Sequence, residues 1–314
     1  MLFISFVLPA YKAVFLRQAI DSILSQSYPR FELIIVNDAS PDNLDEIVGS
    51  YQDERIRYYK NETNIGGENL VAQWNHCIEF AQGDYIVLAA DDDLYHPDFL
   101  MKCVELAEEY PSVNLIRTRV EQIDAHNNLV GVDALIPEYC SKYEFLYYWV
   151  QGVSFTCIGN YMFKGTVLKE RKFIDLPHAF GSDVVSVINL SENGCVNTKE
   201  MLFCFRYSPY HLSSGIDHLK EKITAITMEF NYLMNLNYTQ PTDRFDYYFF
   251  ISSNHSILYS KCKYDYYNLV IKRLPFSKVH YIAKCELLTI KDKMMLFFRF
   301  CFDKLFRRQS QRIG

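Results

Sequence analysis

A mostly parallel sheet packed between helices is the fold class that the first 120 residues predict. Three features predict it: short continuous apolar runs, apolar stripes of helical period between those runs, and a mainly helical pattern beyond residue 215. Residues 4–8, 31–36, 85–89 and 114–118 read as buried strands, the first two being rich in Ile, Leu, Val and Phe. Residues 56–59 are a weaker strand candidate. Between the first two strands, Phe15, Ala19, Ile20, Ile23 and Leu24 form a helical stripe. Leu70, Trp74, Cys77, Ile78 and Ala81 form another before the strand at 85. Alternation of strand and helix implies parallel pairing with helices on both faces. Ligands in such sheets bind at the carboxyl ends of the strands, so the loops at 9–13, 37–43 and 90–97 are the candidates. Residues 121–215 are mixed. Leu219, Ile223, Ile226 and Phe230 then recur at helical spacing, with QPTD at 240–243 as the clearest later break.

A chain of 314 residues and 36.9 kDa accommodates one large domain and an appendage. Its nine cysteines are scattered, the closest two being nine residues apart, so no CxxC-type zinc or redox motif is present. They read as reduced thiols filling small apolar gaps. The net charge of −6 conceals an asymmetry: residues 216–314 carry 16 Lys+Arg and nine Asp+Glu, a net of +7, which leaves −13 for residues 1–215. An acidic body and a basic tail suggest different partners, and no nucleic acid is expected among them. MLFISFVLPAY lacks a charged leading segment and reaches Pro9 at once, so no signal peptide is expected. No apolar run reaches the roughly 18 residues of a membrane span, and the chain is expected on the cytoplasmic side.

Three loops carry candidate chemistry. Asp91, Asp92 and Asp93 directly follow the apolar run YIVLAA. Adjacent carboxylates repel one another unless a cation or donor groups compensate them. Mg²⁺ and Mn²⁺ prefer such oxygen ligands. An isolated DDD is equally explained by a helix cap, with Pro97 in the helix's first turn. Asp38, in VNDAS at the end of the second strand, can accept a hydrogen bond from a base; alternatively, this is an Asx turn. Tyr11, in LPAY after the first strand, offers a ring for stacking.

Order and spacing join these signals. A strand ending in PAY, a helix ending in SILSQSYPRFEL, then IIVNDAS, NETNIGG and GDYIVLAADDDLYHPDFL closely resemble the family 2 glycosyltransferases. The resemblance runs through about the first 110 residues and continues more weakly to about 215. It implies a GT-A fold, a Rossmann-like, mostly parallel sheet between helices with a helical C-terminal extension. Residues 1–110 would be the nucleotide-sugar-binding half, 111–215 the acceptor-binding half, and 216–314 the basic extension. By resemblance, Pro9 and Tyr11 flank a uracil ring and Asp38 takes its N3–H. Asp91 contacts the ribose or the metal's water shell, and Asp92 ligates the Mn²⁺ or Mg²⁺ bridging the diphosphate. Asn64 and Gly66 resemble the family's NxG element near that diphosphate, although a plain turn before a helix explains Gly67 and Glu68 as well. Asp183, ahead of VVSVINLSENG, matches the catalytic base, although a helix N-cap would look the same. Residues 158–164 resemble the small-residue segment beside the acceptor. Arg206, His211 and Ser213 resemble the element closing over the diphosphate, with His211 as a further metal or phosphate ligand. Three departures stand out: Asn37 where an aspartate is common, Ala90 where another is, and Ser182 in place of the usual Glu. Asn37 could still hydrogen-bond the nucleoside.

The activity so implied is inverting transfer of one sugar from a nucleotide-diphosphate donor, expected to be a UDP-sugar, to a hydroxyl of a saccharide acceptor. Assembly of a capsule or O-antigen polysaccharide on a lipid carrier is the expected setting. Processive members carry QxxRW, and neither Trp74 nor Trp149 ends such a motif. Two other readings stay open. A catalytically inactive nucleotide-sugar-binding scaffold would suit Asn37 and Ser182; a sugar-phosphate nucleotidyltransferase would want a glycine-rich basic loop, and PAYKAVF has no glycine. A dinucleotide-dependent oxidoreductase is disfavoured, since no GxGxxG follows the first strand. Residues 291–314 hold seven Lys+Arg among Met294, Met295, Leu296, Phe297, Phe298, Phe300, Cys301, Phe302, Leu305 and Phe306. Such a helix can lie on an anionic membrane surface, here the inner face of the plasma membrane. Its aromatics can instead pack on the preceding helices or form a homodimer contact.

Overall fold

A computed structural model describes residues 1–207 and 218–306. Strand β1 (Ile4–Ala10) leads to helix α1 (Leu16–Leu24), whose Leu16, Ala19, Ile20 and Ile23 are wholly buried on one face. Strand β2 (Phe31–Asn37) is buried at every position. Helix α2 (Leu44–Gly49) starts where the Asn43 side chain accepts the Glu46 N–H, and β3 (Ile56–Lys60) follows. The single turn α3 (Ile65–Glu68) precedes α4 (Leu70–Cys77), and β4 (Tyr85–Leu88) ends at the three aspartates.

The chain continues through β5 (Leu94–Tyr95), α5 (Phe99–Glu109), β6 (Leu115–Ile123), β7 (Leu129–Val132) and β8 (Tyr139–Cys140). Next come α6 (Lys142–Val150), β9 (Tyr161–Lys164), α7 (Gly165–Arg171), α8 (Ser182–Leu190) and β10 (Cys195–Arg206). Among the described residues four α-helices follow, α9 (Leu219–Met234), α10 (Arg244–Ser252), α11 (His255–Asp265) and α12 (Ile290–Phe306), with π and 3-10 turns between the last two. The predicted break at 240–243 separates α9 from α10.

The strands order as β3–β2–β1–β4–β9–β6–β10–β5, with β7 added to β6 and β8 to β10. As the alternation predicts, β3, β2, β1 and β4 are parallel, whereas β9 runs against both β4 and β6. The chain leaves β1 toward β2 on one side and returns on the other as β4. The crevice at the carboxyl ends of β1 and β4 is therefore a topological switch point.

Residues of β1, β2 and β4 alternate between two cores. Phe6, Leu8, Leu33 and Ile35 pack with residues of α1, α2 and α5. Val7, Ile34, Val36, Ile86 and Leu88 belong to the other core, which takes in residues of α4, α6, α8 and α9 and continues to Tyr266, Leu296 and Phe300. The boundaries drawn at 110 and 215 thus cross one apolar core. In α12, Leu296 and Phe300 are buried, with the Phe300 ring 5.3 Å from that of Phe276. Met294, Phe298, Phe302 and Leu305 on the same helix stay exposed. Among the described residues no helix is long and apolar enough to cross a membrane. All nine cysteines are free and seven are buried, as thiols filling apolar gaps would be.

Candidate active site

The switch point draws together the loops that follow β1 and β4. One oxygen of Asp91, Oδ2, accepts the backbone N–H groups of Tyr11 (2.9 Å) and Lys12 (2.8 Å). The loop after β2 is tied in as well, since the Ser40 hydroxyl donates to the Tyr11 carbonyl and Asp42 Oδ2 accepts the Ala13 N–H. Pro9 is half-buried and the Tyr11 ring is 38% exposed, so the ring remains open to stacking.

Asp91 and Asp92 are half-buried and Asp93 is buried. Burial raises all three carboxyls above the usual range, Asp91 to about 6, and the charge of Asp92 raises those of Asp91 and Asp93 further. Arg206 compensates from behind. Its N–H donates to Asp93 Oδ1 (2.9 Å) and its Nε to the Asp92 carbonyl (2.6 Å). The other guanidinium nitrogens donate to the Asp124 carbonyl, Asn127 Oδ1 and Gln18 Oε1, over the face of Phe15. The expectation that Arg206 closes over a diphosphate is corrected here. The residue is wholly buried, because β10 pairs with β5 and β6 and delivers its last side chain behind the aspartate turn. The helix-cap alternative for DDD is also overturned, since β5 intervenes and α5 begins only after Asp98.

Asp38 is 3% exposed. Its Oδ1 accepts from Asn61 Nδ2 (2.7 Å) and the Ile65 N–H (2.9 Å), and its Oδ2 from the Gly66 N–H (2.7 Å). Gly66 is there for space: a Cβ on it would stand 2.8 Å from Asp38 Oδ2. Asn64 caps α3, its Oδ1 accepting the Gly67 N–H, so the turn-plus-helix reading of this segment holds locally. The Asx turn after β2 belongs to Asn37, whose Oδ1 accepts the Ser40 N–H while its Nδ2 donates to the Tyr58 hydroxyl. Those bonds engage both ends of a buried amide, which corrects the suggestion that Asn37 contacts a nucleoside. Asn61, Gln73, Gln18 and Asn127 were not singled out in the sequence. Gln73 Oε1 accepts from Asn61, while its buried Nε2 has no partner among the described residues.

Asp183 is the second residue of α8. The N-cap is Gly181, in the left-handed region at φ 79°, which corrects the reading of Asp183 as a plain cap. Asp183 Oδ1 accepts the Val184 N–H (2.9 Å), and burial pushes its carboxyl to about 6. Ser182 instead braces the preceding segment, its Oγ accepting the Leu176 N–H. In the 158–160 turn the Gly159 carbonyl accepts from the Tyr95 hydroxyl, tying that turn to β5. The buried Cys157 thiol lies within reach of the charges of both Asp93, the last of the three aspartates, and Asp183. His211 and Ser213 lie outside the described residues.

The Glycosyl transferase family 2 model matches residues 5–171, just over half of the chain. The chain belongs to glycosyltransferase family 2. It is 40% identical over 106 residues to the putative glycosyltransferase EpsE of Bacillus subtilis, covering 33% of this chain and 37% of EpsE. It is 37% identical over 109 residues to the same organism's putative teichuronic acid biosynthesis glycosyltransferase TuaG, covering 34% of this chain and 42% of TuaG. Less than half of either relative's length is therefore matched. Among solved structures, S. aureus TarS 1-349 in complex with UDP-GlcNAc superposes with a TM-score of 0.65 at 14% identity, covering 95% of this chain and 91% of that one. The mannosyltransferase PcManGT from Pyrobaculum calidifontis, in complex with GDP-Man and Mn²⁺, gives 0.55 at 12% identity, covering 99% and 83%. These likenesses are of fold, and the fold is GT-A.

Among the described residues no three His, Cys, Asp or Glu side chains form a metal cage. The half-buried carboxylates of Asp91 and Asp92 instead fit a hard cation shared with phosphate oxygens, as Mg²⁺-type sites commonly are. A separate cavity of about 350 Å³, lined by Tyr143, Tyr238, Phe249 and Phe250 among others, includes none of these carboxylates.

Replacing Asp38 by Ala should free the 61–66 segment. Amide exchange at Ile65 and Gly66 is expected to accelerate at least about tenfold, with a stability loss of about 2–4 kcal/mol from the buried donors left unpaired. Hydrogen exchange read by mass spectrometry or NMR checks this; unchanged protection would mean that other contacts hold the segment.

Proposed function

We propose that the protein is an inverting, metal-dependent glycosyltransferase that moves one sugar per turnover from a UDP-sugar to a hydroxyl of a saccharide acceptor. The observation that carries this reading is Asp183: a half-buried carboxyl at the head of α8, held by the Val184 N–H and raised by burial to about 6, whose charge acts on the same buried thiol as that of Asp93. Such a group is ionised at neutral pH yet a better proton acceptor than an ordinary aspartate. Residues 1–110 hold the donor: Pro9 and the exposed Tyr11 ring flank the base, Asp38 accepts its N–H on Oδ2, the oxygen that holds only the Gly66 amide, and Asn64 and Gly66 line the approach of the diphosphate. Asp91 meets the ribose or the metal's water shell through the oxygen not spent on Tyr11 and Lys12. Asp92 is the main ligand of a Mn²⁺ or Mg²⁺, with Asp91 and His211 as further ligands; when bound, that ion neutralises charge growing on the departing diphosphate. Arg206 holds the aspartate turn in place without touching the donor. Residues 111–215 present the acceptor hydroxyl, from which Asp183 takes the proton during a single in-line displacement. One displacement at the anomeric carbon inverts it.

TuaG, by its name an enzyme of teichuronic acid biosynthesis, supports a surface-polysaccharide setting, and the TarS and PcManGT complexes support a nucleotide-sugar donor and a metal. An acceptor carried on a lipid would suit the exposed apolar and basic groups of α12, with the 291–314 tail resting on an anionic membrane. The inward stripe of Leu296 and Phe300 attaches the helix to the body and leaves Phe298, Phe302 and Leu305 outward.

Asp183→Asn should keep UDP affinity within about twofold and lower transfer by about 10²–10⁴-fold, read as UDP release across a panel of UDP-sugars and saccharides. In the wild type the base must be ionised, so kcat/KM should rise about tenfold per pH unit below 6 and level off above it. An acid limb near pH 4, or full turnover by the Asn variant, would remove Asp183 from this role. Asp92→Ala should abolish transfer and the Mn²⁺-dependent component of UDP binding seen by calorimetry; normal turnover would sink the metal assignment. Deleting residues 291–314 should abolish sedimentation with anionic liposomes, which for the full chain should weaken as salt rises, at about 1 kcal/mol per basic group at low salt. Equal sedimentation of both proteins would count against the membrane contact.

A further inference from the structure

The turn that carries Asp183 is held in an unusual backbone state. His178 (φ 54°), Ala179 (φ 58°) and Gly181 (φ 79°) all lie in the left-handed region, within four consecutive positions. For residues with a Cβ this conformation costs on the order of 1–2 kcal/mol each, and it persists where the surroundings over-determine it. Helix α9 supplies such surroundings. The ring of His218, at its start, lies 4.0 Å from that of His178, and Lys222 Nζ sits 4.6 Å from the centroid of the Phe180 ring. The Glu229 carboxylate lies so near Gly181 that a Cβ there would stand 2.7 Å from Oε2. Spacings of four and seven residues put His218, Lys222 and Glu229 on one face of the helix.

Lys222 and Glu229 are 5% and 7% exposed, a degree of burial that Lys and Glu almost never reach unless they are paired with other groups. Burial holds the Glu229 carboxyl well above the usual carboxylate range, the charges of Asp265 of α11 and Asp183 of α8 raise it further, and Lys261, which opposes them, is itself paired with Asp265. Glu229 therefore serves neither as a surface charge nor as half of a simple ion pair with that lysine.

We propose that Lys222 and Glu229 are positioning residues for sugar transfer, clamping the left-handed 178–181 turn so that the Asp183 carboxylate is aimed at the acceptor hydroxyl. This rests on the reading of Asp183 as the base. It makes α9, in the helical C-terminal third, part of the catalytic apparatus. Small misplacements of a reacting group can cost up to about 10²-fold in rate, so a clamp of this kind should be visible in kcat.

The test uses the full chain, with UDP and Mn²⁺ as the binding probe and UDP release from a turnover-competent UDP-sugar as the rate. Glu229→Ala and Lys222→Met should each lower kcat roughly 10–100-fold while the UDP dissociation constant and the circular dichroism spectrum stay as in the wild type. Glu229→Gln, which keeps the shape of the side chain, should restore most of the rate. Gly181→Ala should lose rate too, and the double variant with Glu229→Ala should lose less than the product of the two single losses, because both act on the same turn. Wild-type kcat in both Glu229→Ala and Lys222→Met overturns the clamp, as does a parallel loss of UDP affinity and kcat, which marks general damage. Should Glu229→Ala fail to fold, Lys222→Met decides, and wild-type kcat in that variant overturns the clamp. Full transfer by Asp183→Asn would instead overturn the reading of the base; an inactive Asp183→Asn beside fully active clamp variants overturns the clamp alone.

Discussion

Two backbone N–H groups converging on one carboxylate oxygen join the halves of the cleft. Tyr11 and Lys12 follow β1, Asp91 follows β4, and their bonds span 80 and 79 residues of sequence. The parallel pairing of β1 with β4 makes this contact available, because it ends both strands at the same edge of the sheet. Asp42 and Ser40 extend the tie to the loop after β2. Asp38 carries it on to α3, where its carboxylate holds the amides of Ile65 and Gly66. Four loops are thereby fastened by carboxylate or hydroxyl contacts to backbone groups, which leaves the Tyr11 ring and the Asp92 side chain at the solvent side.

The triplet at 91–93 shows how like charges are accommodated at close quarters. Full ionisation of three recessed carboxylates is disfavoured by burial and by mutual repulsion, and the raised carboxyls express that cost. The protein answers with directed donors. Asp91 receives two amides, Asp93 receives the Arg206 amide, and Arg206 Nε holds the carbonyl of Asp92. Asp92 is thus fixed by its main chain, while its side chain stays partly exposed beside the positive charges of Lys12 and Arg206. A carboxylate presented in this way suits a hard cation brought in with a diphosphate.

The C-terminal helices are continuous with the sheet in the physical sense that matters for packing. Ile223, Ile226 and Phe230 of α9 share a core with Val36, Leu88 and Val187. Sequence composition separates this third of the chain by its basic charge, yet its helices cover the face of the sheet on which α8 lies. Asp183 therefore has neighbours from both sides of residue 215, Glu229 among them.

Much was legible in the sequence because it depends on local pattern. Continuous apolar runs marked β1, β2 and β4, helical spacing marked α1 and α9, and the segment 240–243 marked a true break. The positions of the aspartates at the end of β4 and of Asp183 at the head of α8 were legible because order along the chain carries them. What pattern could not carry was the partner of each polar group. Arg206 looked like a ligand-facing cation and proved to be a buried brace, since its direction is set by β10 pairing with β5 and β6. Asn37 rather than Asp38 makes the Asx turn, which frees Asp38 to reach forward to Ile65 and Gly66. Gln18, Asn61 and Asn127 gave no signal, because each acts through a hydrogen bond that exists only once distant segments meet. Periodicity and order are properties of neighbours along the chain and are determined by the sequence itself; the burial and direction of a polar side chain depend on segments tens of residues away, so only the tertiary structure decides them.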